Sequence, residues 1–250
     1  MKITILAEGT LERALFLHPT AIVSDLHMNG AGKQDNFQGV LFGEWLDSLP
    51  AEWHIIINGD WIDLWECPWF SKIQAHNSAL LAALAAREGE DVLGNHDEEL
   101  ARYAAALASP RALVPFIETP YLRIEHGHRL DPACSGRGSW IGRAATAVWA
   151  WLERRGCGRR LEGTKDGLCA WSKRRVVTAA KRGDDNAAYE RQAGGLDKIL
   201  YVTGHTHKPA LIEWAPGRFY ANSGSWVEPG RGYAITIEKR TIRLIEVSNG

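Results

Sequence analysis

Residues 52–63 read EWHIIINGDWID, a short apolar run followed by Gly59, Asp60 and Asp63. An apolar run of this length, bounded by turn signals, is typical of a buried strand. The side chains that follow such a strand are the informative part, because they lie where the chain leaves the sheet. This stretch therefore predicts a buried strand that delivers two carboxylates to one edge of a sheet.

The same pattern occurs four more times along the chain. The run TAIVSDLH ends in Asp25 and His27, EDVLGNHD in Asn95, His96 and Asp97, YLRIEHGH in His126 and His128, and ILYVTGHTH in His205 and His207. Helical patterns lie between these runs, at 37–46 before Pro50 and in NSALLAALAARE, where Asn77 or Ser78 is the expected N-cap. Alternating strands and helices predict an α/β fold, in which ligands collect at the carboxyl ends of strands.

The C-terminal part of the chain has a different pattern. GRFYANSGSW, at 217–226, and the segments RGYAITIE and TIRLIEVS read as strands, the last two forming a hairpin through Lys239 and Arg240. We expect a second, more antiparallel sheet there. Residues 132–195 contain amphipathic helical stretches separated by Gly-rich turns. They predict a helical cap inserted beside the site, within a single domain that spans residues 1–250.

Composition limits the classes of protein to consider. The chain has 250 residues, of which 45% are hydrophobic, and a net charge of −1, so no global charge indicates nucleic-acid binding. Its four cysteines form no CxxC pair, and no run has the length of a membrane span, which favours a reduced, cytoplasmic protein. Charge is uneven, however: between Arg137 and Arg182 there are 12 Lys/Arg against 3 Asp/Glu.

Taken one at a time, the polar strand ends have ordinary structural readings. Asp25 could form an Asx turn, Gly59-Asp60 a tight turn, and Asn95 or Asp97 a helix N-cap. His126 or His128 alone would more often be a hydrogen-bonded structural histidine. These readings would have to coincide at five successive strand ends, so a shared site is the better interpretation.

The residue types at the strand ends predict a metal site. Carboxylates, an amide oxygen and imidazoles together suit manganese, iron, zinc or cobalt better than an all-oxygen calcium cage. Seven such side chains are too many for one tetrahedral zinc ion. They suit two ions about 3.5–4 Å apart that share a carboxylate. The seven are Asp25, His27, Asp60, Asn95, His126, His205 and His207.

The order D-x-H, G-D-x-x-D, G-N-H-D, H-x-H, G-H-x-H resembles that of the calcineurin-like metallophosphoesterase superfamily. The resemblance implies a four-layer αββα sandwich, here with the helical cap insertion. It implies that Asp25, His27 and His207 hold a first metal ion, that Asp60 bridges, and that Asn95, His126 and His205 hold a second. It also implies that His96 is the catalytic histidine and that Asp63 orients its ring.

The implied activity is hydrolysis of a phosphodiester or pyrophosphate by in-line attack of a metal-bridging hydroxide, with manganese the expected ion and iron, zinc or cobalt the alternatives. NGDWIDLWE, HGHRLDP and GHTHKP make the layout most similar to the UDP-2,3-diacylglucosamine hydrolase-like branch. That branch has Arg and Asp where this chain has His96 and His128, and both differences are typical of general phosphodiesterases. The role of His128 is left open.

The basic segment has two readings. It could bind an anionic, amphiphilic substrate or the inner face of a membrane, or it could be a solvated helical face whose tryptophans pack inward. Two other functions also stay in view: a phosphomonoesterase or protein phosphatase on the same site, and a metal-binding scaffold without catalysis.

Overall fold

The apolar runs form the strands of two stacked sheets. A computed structural model describes residues 1–30, 36–103, 107, 109–130 and 197–250. Within these residues, the first sheet has seven strands and the second has five. The prediction of an α/β fold with two sheets is therefore confirmed.

The first sheet has a parallel half and an antiparallel half. Strands β2 (Thr20–Val23), β3 (His54–Asn58), β4 (Glu90–Val92) and β5 (Ala112–Val114) are parallel. Strands β11 (Arg231–Glu238), β12 (Thr241–Ser248) and β1 (Lys2–Thr10) extend it in antiparallel pairing beyond β2. The carboxyl ends of β2, β3 and β4 consequently lie side by side.

The second sheet brings two further polar strand ends to the same side. Its strands are β6 (Ile117–Glu118), β7 (Leu122–Ile124), β8 (Leu200–Thr203), β9 (Ala210–Ala215) and β10 (Arg218–Asn222). Strand β8 is parallel to both β7 and β10. The runs that end in HGH and GHTH therefore belong to the second sheet, and the five predicted strand ends are divided between the two sheets.

Alternation of side chains along the strands builds two apolar layers. Ile22 and Ile56 of the first sheet pack with Val202 and Ile124 of the second in the layer between the sheets. The neighbouring residues on the first sheet point to its other face, because successive side chains alternate. There they meet three helices, α1 (Gly39–Ser48), α2 (Phe70–His76) and α3 (Ser78–Ala85).

The helix N-cap prediction is only partly correct. Asn77 precedes α3, but its side chain makes no capping bond and instead donates to the carbonyl oxygens of Asn29 and Ile73. Asp97 precedes a short 3-10 helix, Glu98–Tyr103, and its carboxylate likewise points away from that helix. In both cases a longer-range partner takes the side chain.

Two details of the sheets differ from the sequence expectation. The predicted hairpin is present, with Lys239 at a φ of 56° in its turn, but it joins the first sheet instead of the second. Strand β1 was not predicted, and it lies at the outer edge of the first sheet. No helix among the described residues is long and apolar enough to span a membrane. The predicted cap, 132–195, lies outside the described residues.

Candidate metal centre

Polar side chains from five strand ends converge between the two sheets. Hydrogen bonds continue past the strands, because the amide of Asp25 donates to the carbonyl of Gly59 (3.0 Å) and the amide of His27 to that of Asp60 (2.9 Å). In the second sheet, the amide of Gly204 after β8 donates to the carbonyl of His126 after β7 (3.0 Å), and the amide of His205 donates across to Oδ2 of Asp25 in the first sheet (3.1 Å). These bonds place the predicted ligands in one region.

Five of the predicted ligands have a left-handed backbone. Their φ values are 54° at Asp25, 47° at His27, 53° at Asp60, 66° at His205 and 58° at His207. This conformation is uncommon for residues other than glycine and costs on the order of 1–3 kcal/mol each. Such strain persists only where the surrounding structure fixes it, and it is concentrated at functional sites.

The glycines of the motifs permit close contact between neighbouring loops. A Cβ at Gly94 would lie 2.1 Å from Oδ1 of Asp60, and one at Gly59, where φ is 85°, would lie 2.5 Å from Cγ of His126. Real Cβ atoms do not approach other atoms so closely. Glycine at these two positions therefore lets Asp60 and His126 occupy the centre of the site.

The side chains form three overlapping groups that could each hold a metal ion. They are Asp25, His27 and His207; His27, Asp60 and His96; and Asp60, His126 and His205, with the donor atoms of each group within 4.8 Å of one another. The first group is the set that the family resemblance implies for the first ion, and the third joins His126 and His205 of the second set to Asp60, which lies in two of the groups. Asn95 follows Gly94 in the loop that contacts Asp60, and its Oδ1 is buried without a hydrogen-bond partner.

The hydrogen bonds of the histidines orient their Nε2 atoms as ligands. Nδ1–H of His126 donates to the carbonyl of Asn58 (2.9 Å), so its Nε2 lone pair faces Oδ2 of Asp60 at 3.1 Å. His27 uses Nδ1 on Asp63 and places its Nε2 3.3 Å from Nε2 of His207. Pairs of acceptors at these distances need a proton or a cation between them. The residues present therefore fit metal ions.

Interactions between the buried carboxylates and imidazoles of the site shift their pKa values. Burial alone would lower the pKa of His126, but the carboxylates of Asp60 and Asp25 outweigh it and raise the pKa to about 10. Burial alone would raise the pKa of Asp60, but His126 and His96 hold it well below its usual range. The pKa of His207 is raised, since Asp25 outweighs its burial. Without metal ions, the site retains protons that a cation would displace.

We predict that metal binding near neutral pH releases protons. His126, with a pKa of about 10, is protonated at pH 7 and must lose its proton before Nε2 can bind a cation, and the pKa of His207 is raised in the same direction. Affinity should then rise with pH, by about tenfold per unit for each proton displaced, until the pH nears 10. Titration calorimetry of the metal-free protein with Mn²⁺, in buffers of different ionisation enthalpy, counts the protons. Binding without proton release would contradict this prediction.

Asp63 contacts two different histidines. Its Oδ1 accepts from Nδ1–H of His96 (2.9 Å) and its Oδ2 from Nδ1–H of His27 (3.2 Å). The resemblance implied only the contact with His96. The structure shows that one carboxylate orients both the predicted catalytic histidine and a predicted metal ligand, and these contacts hold the pKa of Asp63 well below its usual range despite burial.

Two residues that support the site were missed by the sequence analysis. Asp97 is fully buried and accepts from the amides of Gly94 (2.6 Å) and Trp61 (2.8 Å), which joins the GNHD loop to the GDWID loop. Asn222 donates to the carbonyl of Gly204 (2.8 Å) and so supports the GHTH loop. Asp97 belongs to the GNHD motif, but its hydrogen bond to the Trp61 amide could not be predicted from the local sequence, because the two residues are far apart along the chain.

His128 lies beside the site as a neutral imidazole. Its ring centroid is 5.6 Å from that of His126, its Nδ1 is buried without a hydrogen-bond partner, and burial followed by the charge on His126 lowers its pKa to about 3. Among the described residues, His128 therefore lies next to a predicted ligand, and its Nδ1 has no hydrogen-bond partner.

Comparisons with known proteins agree with the motifs. The family model described as calcineurin-like phosphoesterase matches residues 18–209. Similar solved structures include vacuolar protein sorting 29 from Cryptosporidium parvum, at 14% identity and a TM-score of 0.43, covering 93% of this chain and 98% of that one. A novel archaeal phosphodiesterase has 12% identity and a TM-score of 0.44, with 91% and 99% covered. No curated protein matches.

Proposed function

The chain belongs to the calcineurin-like phosphoesterase family, and we propose that it is a dinuclear metal-dependent hydrolase of phosphodiester or pyrophosphate bonds. Asp25, His27 and His207 would hold one ion, and Asn95, His126 and His205 the other, with Asp60 between them. Manganese is the proposed ion, and iron, zinc or cobalt are the alternatives that these ligand types allow.

The observation that carries this proposal is the position of Asp60. Its carboxylate belongs to two of the donor groups, one with His27 and His96 and one with His126 and His205, in each of which the donor atoms lie within 4.8 Å of one another. A carboxylate shared by two donor groups is the arrangement that a pair of ions requires. When bound, two divalent ions would supply Lewis acidity and a nucleophile near neutral pH.

The protein's own residues supply orientation and a proton. Asp63 fixes the ring of His96, whose Nδ1 is engaged, so Nε2 is the atom available to a leaving group. Burial alone would lower the pKa of His96, but Asp60 and Asp63 outweigh it and raise the pKa to about 9. A raised pKa favours the protonated form, which a general acid needs before it protonates the leaving oxygen.

For the substrate, we propose an anionic diester or pyrophosphate, with UDP-2,3-diacylglucosamine among the compounds to test. The resemblance to the UDP-2,3-diacylglucosamine hydrolase-like branch supports an amphiphilic substrate. His96 and His128 support a general phosphodiester instead, because that branch has Arg and Asp at these two positions. The basic segment between Arg137 and Arg182 would serve as the cap over an amphiphile, or as a peripheral contact with the inner face of the membrane. We propose that it is part of a single domain spanning residues 1–250.

Purified protein loaded with Mn²⁺ and assayed on paired substrates tests this function. We expect turnover of bis-p-nitrophenyl phosphate well above that of p-nitrophenyl phosphate, and loss of turnover after chelation. A panel of nucleotide sugars, UDP-2,3-diacylglucosamine, cyclic nucleotides and phospholipid diesters then identifies the substrate class. A preference for the monoester would indicate a phosphomonoesterase, and no turnover with any divalent ion would indicate a scaffold.

A further inference from the structure

Trp61, Trp65 and Trp69 are spaced by four residues, but they lie in three different environments. Trp61 is buried in the core, with 2% of its surface exposed, and Trp69 is 64% exposed. Trp65 is partly buried. Its indole stacks on the imidazole of His96, with ring centroids 4.3 Å apart and planes 26° from parallel. The contact involves the residue proposed to donate the proton.

His96 is held on several sides by the segment that follows β3. Its amide donates to Oδ1 of Asp60 (2.8 Å), and its carbonyl accepts from the amide of Leu64 (3.2 Å). Nδ1–H donates to Oδ1 of Asp63, the same oxygen that accepts from the amide of Trp65 (3.1 Å). Trp65 therefore contacts Asp63 through its backbone amide and His96 through its ring.

The hydrogen bond to Asp63 leaves one motion of the imidazole open. A single bond at Nδ1 fixes the position of that atom, but the ring can still tilt about it. The rings of His27 and His96 are perpendicular, at a centroid distance of 4.7 Å and an angle of 87°, and the indole of Trp65 is stacked on the His96 ring. The two contacts together define the plane of the ring, and hence the direction of Nε2.

We propose that Trp65 is a positioning residue whose indole face holds the ring of His96 so that Nε2 points at the leaving oxygen. This inference rests on the proposed function. Misdirection of a general acid sacrifices part of the ~10²–10⁴-fold that such groups contribute. The role differs from core packing, because it acts through one catalytic group.

A set of variants tests the role of Trp65. Trp65→Ala should lower kcat by about tenfold with KM and metal content unchanged, Trp65→Phe should restore most of the rate, and Trp65→Leu should not. The loss should be larger for a diester with a poor leaving group than for bis-p-nitrophenyl phosphate, whose leaving group needs little protonation. Trp69→Ala, in the same segment and away from His96, is the matched control and should behave as wild type.

A double-mutant cycle with His96→Ala decides the mechanism. If Trp65 acts through His96, adding Trp65→Ala to His96→Ala should cost no further rate. Additive losses, or loss of metal or of thermal stability in Trp65→Ala and Trp65→Leu alike, would overturn the positioning role in favour of a structural one. Absence of turnover in wild-type protein would instead refute the proposed function. In that case the contact itself is tested in variants that keep His96, by the hydrogen exchange of the His96 Nδ1–H, which should accelerate in Trp65→Ala and not in Trp69→Ala.

Discussion

Replacing Asp60 by alanine should remove both metal ions and reduce hydrolysis to background. The carboxylate lies within ligand distance of two groups of side chains, so its loss deprives both ions of a ligand at once. It also pairs with His126 at 3.1 Å and accepts the amide of His96 at 2.8 Å. Metal content by elemental analysis, measured beside turnover, checks this result.

Asp60→Asn removes the negative charge of the side chain and keeps its shape. The amide keeps an oxygen that can accept from His96, but it lacks the charge and the second oxygen that two ions would share. We expect this variant to retain at most one ion per chain and to have little activity. Two ions per chain in Asp60→Ala would exclude Asp60 as the shared ligand. Circular dichroism of the metal-free variants shows whether the fold persists.

The local patterns of the sequence were sufficient to predict the strands that carry the site. Each is an apolar run that ends in a polar side chain, and both signals lie within a few residues. The grouping of the strands into sheets was not predictable in the same way. The hairpin of β11 and β12 carries buried residues on both faces, and its choice of β2 as partner depends on residues some 200 positions away.

Strand β1 was missed for a physical reason. It pairs with β12 on one side only, and Ile3, Ile5 and Leu6 are about half exposed. A bulge between Ile5 and Ala7 breaks the alternation of inward and outward side chains. An edge strand with an interrupted period has a weak sequence signal, because alternation is what identifies a half-buried strand.

The candidate site, too, was only partly predictable from the sequence. The motifs indicated which side chains could bind metal, since residue type and order are in the sequence. They did not indicate that Asp63 orients His27 as well as His96, or that Asp97 joins two loops through backbone amides. They also did not predict the left-handed backbone of Asp25 and Asp60, because these residues adopt it only when neighbouring strands fix them.

Replacing His96 by alanine should lower kcat by about 10²–10⁴-fold while both metal ions remain bound. Its Nδ1 is committed to Asp63, and its pKa, raised to about 9 by Asp60 and Asp63 despite burial, favours the protonated form that a proton donor needs. The rate loss should therefore grow with the pKa of the leaving alcohol, because a poor leaving group depends most on protonation.

The same variant also tests whether His96 is a metal ligand instead of a proton donor. His96 lies within ligand distance of His27 and Asp60, so it could bind an ion directly if Nε2 lost its proton. Co-loss of metal and activity in His96→Ala would establish that alternative, whereas full metal content with a leaving-group-dependent rate loss would establish the acid. His54→Ala is the matched control: His54 begins the strand that delivers Asp60, pairs with Glu90 at 2.6 Å, and is far from the site along that strand. It should change neither metal content nor rate, so an effect confined to His96 reports on the proton at Nε2.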